Sequence, residues 1–149
     1  MIKELKAAGI LIALCILVLS VPGSIRSESG DAAEKEAVLK AARIYLDAEV
    51  RRDYPRLYAC FAPSSIYVRS HTYRQFLEDV RTAPDRLVAY RIVRVSYIQD
   101  QEDRKKFPTI DKVAQVEVEA TFLNAPTQKR SEVNIGFIFL REKGKWYKG

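Results

Sequence analysis

Between Lys112 and Leu140 the chain alternates apolar and polar residues with period two, twice over, and no other feature constrains its fold as tightly. In the first run Ala114, Val116, Val118, Ala120 and Phe122 alternate with Gln115, Glu117, Glu119 and Thr121. In the second, Val133, Ile135, Phe137 and Phe139 alternate with Glu132, Asn134, Gly136 and Ile138. Successive side chains of a strand point to opposite faces, so each run describes a strand with one face on a core. Asn124-Ala125-Pro126-Thr127 between them is turn chemistry, which makes the two strands an antiparallel pair. An apolar sheet face must be covered, and the upstream residues have to cover it.

That cover reads as helical. Asp31-Ala32-Ala33-Glu34 has the form of a capping box opening a helix to about Arg52. Its apolar stripe is Val38, Ala41, Ala42, Tyr45 and Ala48, with Glu36/Lys40 and Asp47/Arg51 as i,i+4 pairs. Pro55 suits the first turn of a second helix that buries Leu57, Tyr58 and Phe61. Ile66-Tyr67-Val68 reads as a short strand. Thr72-Tyr73-Arg74-Gln75 is another capping box, for a third helix with Tyr73, Phe76, Leu77 and Val80 inward and Pro84 beyond its end. From Arg86 to Ile98 the composition turns β-like with neither parity clean, as a strand carrying a bulge would show. Gln99 to Asp111 is a polar loop, and Lys143-Gly144 a turn before a last piece, Lys145 to Gly149.

The expected class is therefore α+β, three N-terminal helices packed on a curved antiparallel sheet of 4–5 strands, a cone-shaped roll. Gly136 in mid-strand is expected to mark a bend. Such a cone closes at one end and can hold a pocket at the other.

Residues 1–23 read as a signal peptide or N-terminal membrane anchor, 24–30 as a linker and 31–149 as the domain. Lys3 and Lys6 precede an apolar run from Ala7 to Leu19, closed by Ser20-Val21-Pro22-Gly23-Ser24. That order is the secretory pattern, and the run is shorter than the roughly 20 residues that span a bilayer. Cleavage near Gly23 or Ser27 gives a periplasmic or secreted protein; retention gives an inner-membrane protein anchored by residues 7–22. Lipidation at Cys15 is disfavoured by bulky Leu14 before it. Once the segment is removed, Cys60 is the only thiol and no internal disulfide is possible. The net charge of +6 is spread over every element, which suits a solvated surface or loose attraction to anionic envelope components rather than nucleic acid.

Two stretches resemble one family. Tyr45-Leu46-Asp47-Ala48-Glu49-Val50-Arg51-Arg52-Asp53 followed by Leu57-Tyr58-Ala59-Cys60-Phe61-Ala62-Pro63, and the closing Leu140-Arg141-Glu142-Lys143-Gly144-Lys145-Trp146-Tyr147, are similar to the nuclear-transport-factor-2-like superfamily. This is the cone fold shared with ketosteroid isomerase and scytalone dehydratase, and the resemblance covers residues 31 to 149. It implies a fold but not one function, because enzymes, carriers and assembly domains share it. Carried over from the isomerase, Tyr45 matches the oxyanion-donating tyrosine. The position of its base falls on Tyr67-Val68-Arg69-Ser70 and that of its second acid on Asn134 to Gly136, neither with a carboxyl group. Without a base the isomerase reaction has no proton acceptor.

The candidate residues follow. Tyr45, Tyr67, Val118, Phe122, Ile135 and Phe137 are expected to frame a ligand pocket. Tyr45 and His71 are weak catalytic candidates; His71, the only histidine, is most simply a loop residue at a helix entrance. Arg91 or Arg94 would attract an anion if it faced inward, which the broken parity leaves open. Leu123, Ile138 and Leu140 lie on the outer sheet face, as an interface or beneath the C-terminal piece. One histidine and no cysteine pair make no metal set, and no cofactor is expected. The first expectation is a non-enzymatic, exported domain binding a small molecule or an envelope protein. The alternatives are a pocket lyase or isomerase using Tyr45 and His71, and a dimerisation module.

Overall fold

The computed structural model describes residues 28–149. The N-terminal basic and apolar stretch, Cys15 and the expected cleavage sites lie outside the described residues. Four helices, α1 (Glu28–Arg51), α2 (Tyr54–Ala59), α3 (Ile66–Ser70) and α4 (Tyr73–Thr82), precede four strands, β1 (Asp85–Asp100), β2 (Ile110–Asn124), β3 (Arg130–Glu142) and β4 (Lys145–Lys148). The strands form one curved, open antiparallel sheet in the order β1-β2-β3-β4. The α+β class is as expected, with four strands and one helix more than the sequence suggests.

The hairpin alternation sets the core. Ala114, Val116 and Val118 pair with Phe139, Phe137 and Ile135, so all six side chains share the inner face. Val38, Ala42 and Leu46 of α1 pack on them with Trp146 of β4. Leu46, Val116, Val118 and Phe139 are wholly buried, and burying each such side chain contributes about 1.5–3 kcal/mol.

Both ends of α1 depart from simple capping. The helix begins at Glu28, so Asp31 lies inside it rather than at its cap. Glu34 instead accepts from Lys112 Nζ at 2.5 Å and Arg141 at 2.6 Å, joining α1 to β2 and β3. Glu36 pairs with Arg43 rather than Lys40, and Asp47 accepts from the Tyr90 hydroxyl at 2.7 Å rather than meeting Arg51. At the far end Arg52 adopts a left-handed φ of 57°, and Asp53 caps α2 by accepting from the Arg56 N–H at 3.2 Å.

Ile66-Tyr67-Val68 is helical, not a strand. Ser65 caps it by accepting from the Val68 N–H, a local signal that outweighs the β-branched composition. The Thr72/Gln75 capping box of α4 is present in full. Phe76 is buried beneath it, while Tyr73 is exposed rather than inward.

β1 carries three register shifts rather than one, between Leu87 and Ala89, Ile92 and Arg94, and Val95 and Tyr97. Each slips the inward parity, so Leu87, Tyr90, Ile92, Val95 and Ile98 all pair with inward residues of β2. Arg91 and Arg94 therefore stand on the outer face, each gripping a glutamate in a two-bond fork: Arg91 with Glu119 at 3.0 and 2.6 Å, Arg94 with Glu117 at 2.8 and 3.0 Å. Neither faces the inner side of the sheet; Arg91 instead lines an open hollow of about 420 Å³ with Glu119, Thr121 and Asn134 on the outer face. On that face Gly136 leaves room for the Gln115 side chain, whose Nε2 would lie 1.9 Å from any Cβ there.

The segment after α2 extends the sheet at its edge. Phe61 forms a parallel bridge with Lys148; the Lys148 N–H donates to Cys60 C=O and the Ala62 N–H to Lys148 C=O, both at 2.7 Å. Glu142, buried, accepts from the Ser64 hydroxyl and N–H. The terminal Gly149 N–H donates to Ile138 C=O at 2.9 Å, and this residue packs on Leu140 and Ile138. Leu123 is buried and Ile138 and Leu140 are half-buried, so the three do not form an exposed apolar patch. No helix of the described residues is long and apolar enough to cross a membrane.

Candidate functional site

Tyr45 and Glu49 stand one turn apart on α1, which places both side chains on the helix face turned toward the sheet. Phe61, held by its bridge to β4, meets the Tyr45 ring edge-on at 6.0 Å. Phe137, on the inner face of β3, meets it from the other side at 5.8 Å. Lys148 is the inward residue that pairs with Phe139, and its Nζ lies 5.9 Å from the ring centres of both Tyr45 and Phe137. At that range the ring quadrupoles attract the ammonium. Nζ also donates to Gly149 C=O at 2.5 Å. The result is a packed aromatic cluster, called the cup below, around one phenol, one carboxyl and one ammonium.

Burial sets the electrostatics of all three. Tyr45 is pushed well above its ordinary value by desolvation, and further by the neighbouring Glu49 carboxyl. Glu49 is also pushed up by desolvation, against the opposing pulls of the Tyr45 hydrogen bond and the Lys148 charge. Lys148 is pushed down by desolvation and held up in part by Glu49. Loss of hydration thus outweighs the attraction between the two charges. Glu49 Oε2 is buried and has no hydrogen-bond partner in the protein. An unpartnered buried acceptor costs about 1–3 kcal/mol, and Tyr45 as a firmly protonated donor stands next to it.

The residues named from the sequence divide into three groups. Tyr45 and Phe137 are in the cup, with Ile135 two residues further along the same inward face and Val118 wholly buried as its cross-strand neighbour. Tyr67 contributes its ring, 5.3 Å from Phe61, but its hydroxyl turns away and donates to Asp79 at 2.9 Å. Phe122 does not belong: it pairs with Ser131, six residues along the hairpin from the Val116–Phe137 pair, which is about 20 Å of strand.

His71 stacks on Tyr67 at 4.4 Å and 12°, with Nδ1 2.9 Å from Ser70 Oγ and Nε2 3.9 Å from Asp79. Tyr45, Phe61, Tyr67 and His71 thus form a chain of rings in which Phe61 and Tyr67 lie between the two catalytic candidates. The half-buried Cys60 thiol is pushed up by desolvation, the reverse of an activated nucleophile. Among the described residues, no group of three His, Cys, Asp or Glu side chains is placed to hold a metal ion.

Glu49 and Lys148 escape the sequence reading, although each leaves a trace. Glu49 is an acid at i+4 from Tyr45, on the edge of an otherwise apolar stripe, and charged residues seldom occupy such positions without a partner. Lys148 shares strand parity with Trp146, which marks it as inward. Comparison with protein-family models, with curated proteins and with solved structures finds no match for this chain.

Proposed function

We propose that the domain binds a small, largely apolar molecule in the cup of Tyr45, Glu49, Phe61, Phe137 and Lys148. The observation that carries this is the unpartnered Glu49 Oε2 among aromatic rings. A ligand hydroxyl or amide N–H would satisfy that oxygen, while a flat apolar body would lie against the Phe61 and Phe137 rings. A cationic ligand is disfavoured by Lys148, so the preferred class is neutral, with a donor at one end. Thermal-shift screening of neutral cyclic alcohols and amides tests this. Binders should raise the melting temperature of the wild type and lose that effect in Glu49→Gln and Phe137→Ala; hits indifferent to both changes would refute the site.

The export of the domain rests on Lys3, Lys6 and the apolar run that follows them. Distant kinship with the nuclear-transport-factor-2-like superfamily is supported by the quoted sequence stretches and by the helices-then-curved-sheet order. A second reading has one specific observation in its favour. Tyr45 and Glu49 adjoin as donor and raised-pKa carboxyl, the pairing that proton transfer to and from a carbonyl compound requires. That reading uses Glu49 in place of His71. Turnover of a bound hit that disappears in Glu49→Gln would favour it over simple binding. The assembly reading draws less support, since Leu123 is buried and Ile138 and Leu140 are half-buried.

A further inference from the structure

A cavity adjoins the cup and shares Lys148 with it. The α1 face carrying Ala37, Ala41 and Ile44, the end of α2 at Ala59 and Cys60, and Trp146 of β4 enclose a half-open groove of about 440 Å³, within the roughly 300–1,000 Å³ range of small-molecule sites. Its floor is apolar. Around it stand four cations: Lys148, which is drawn by Glu49, and three exposed ones from three different elements, Lys40, Arg56 and Lys145.

The acids that would ordinarily neutralise the exposed three are engaged elsewhere. Glu36, one turn before Lys40, is held by Arg43 at 2.9 Å. Asp53, beside Arg56, caps α2 through the backbone. Glu142, across the turn from Lys145, accepts from Ser64. Among the described residues none of the three cations has an ion-pair partner. Their field converges on the floor, where Arg56 and Lys145 both draw the Cys60 thiol downward against its burial, with Asp53 the only acid opposing them.

We propose that this groove binds a small amphiphilic anion, an acyl-like apolar body ending in a carboxylate. The body would cover Ala41, Ile44 and Trp146, and the head would sit among Lys40, Arg56 and Lys145. Sign selects the occupant. A second copy of this chain carries +6 and would be repelled. The chain's own N-terminal stretch has Lys3, Lys6 and Arg26 against a single Glu4, again the wrong charge.

Trp146 is the only tryptophan in the chain and lines the groove, so it reports occupancy without a label. The full chain is titrated with decanoate below its micelle threshold, following Trp146 emission, with decanol and decyltrimethylammonium as equal-length controls. Decanoate should give a saturable shift, and decanol should bind at least about tenfold more weakly. Raising the salt should weaken decanoate and leave decanol unmoved. The Lys40→Glu, Arg56→Glu, Lys145→Glu triple variant changes exposed side chains only; with unaltered circular dichroism it should lose decanoate by about tenfold or more. Equal binding of decanoate and decanol would overturn the proposal. So would an unmoved Trp146, or a response to phosphatidylglycerol vesicles but not to decanoate; the last would make the face a membrane contact instead.

Discussion

The most informative single perturbation is Glu49→Gln, because glutamine copies the shape and neutrality of the protonated acid. In the folded protein the carboxylate has the Tyr45 hydroxyl beside it, no hydrogen-bond partner on Oε2 and Lys148 nearby. The unsatisfied oxygen costs about 1–3 kcal/mol. Attraction from Lys148 offsets part of this but not all, since desolvation is the larger effect on Glu49. The ionised site therefore destabilises the native state by about 1–2 kcal/mol.

The sign with pH follows from the direction of the shift. With its folded value raised above 4.5, Glu49 leaves the native chain holding more protons than the unfolded one just above that pH. Wild-type stability then falls as pH rises from 4.5 through the folded value. Urea unfolding of both proteins across that range should show near-equal stability in acid, with the variant more stable by about 1–2 kcal/mol above neutrality. A gain in stability with a loss of ligand binding is the expected signature of a functional site. A variant less stable than wild type at neutral pH, or a difference independent of pH, would refute the reasoning.

Other perturbations test the frame that positions the cup. Glu34, its side chain only 14% exposed, joins Lys112 and Arg141. Glu34→Ala should cost about 2–3 kcal/mol in urea unfolding, and a loss under about 0.5 kcal/mol would mean the network behaves as a screened surface pair. Thr72→Ala removes the capping box of α4 and should cost about 1 kcal/mol by the same measurement. The Tyr90 phenol is pushed up to about 12 by desolvation and by its bond to Asp47. Its contribution is present below the ordinary value of 10 and lost as pH rises through about 12. Ultraviolet titration should show one such late phenol fewer in Tyr90→Phe.

The hairpin was legible because period-two alternation needs no information beyond the strand itself: the inward set from Ala114 to Ala120 and from Val133 to Phe139 emerges in the register. The capping box at Thr72 was equally local. The departures come where distant partners decide. Glu34 looks like a cap until Lys112 and Arg141, far along the chain, arrive to claim it. Arg91 and Arg94 face outward because β1 slips register against β2 between Leu87 and Ala89 and again between Ile92 and Arg94, slips whose places the β1 sequence alone does not carry. Ile66-Tyr67-Val68 has strand-like residues, but Ser65 just before it supplies a helix cap. The cup itself was half legible. Tyr45 and Phe137 lie on evident apolar faces, whereas Glu49 and Lys148 look like ordinary surface charges until the bridge between Phe61 and Lys148 draws the last strand against the end of α2.

The central claim is that the Glu49 cup holds a neutral small molecule, and native mass spectrometry of the full chain tests it most directly. The protein and its Glu49→Gln variant would be purified without denaturation from the producing cells and compared side by side. The account predicts a non-covalent adduct of discrete mass on the wild type, released by gentle activation and missing from the variant. A wild type that arrives empty and gains no adduct from a pool of cell-extract small molecules would contradict it, as would an adduct retained equally by both proteins.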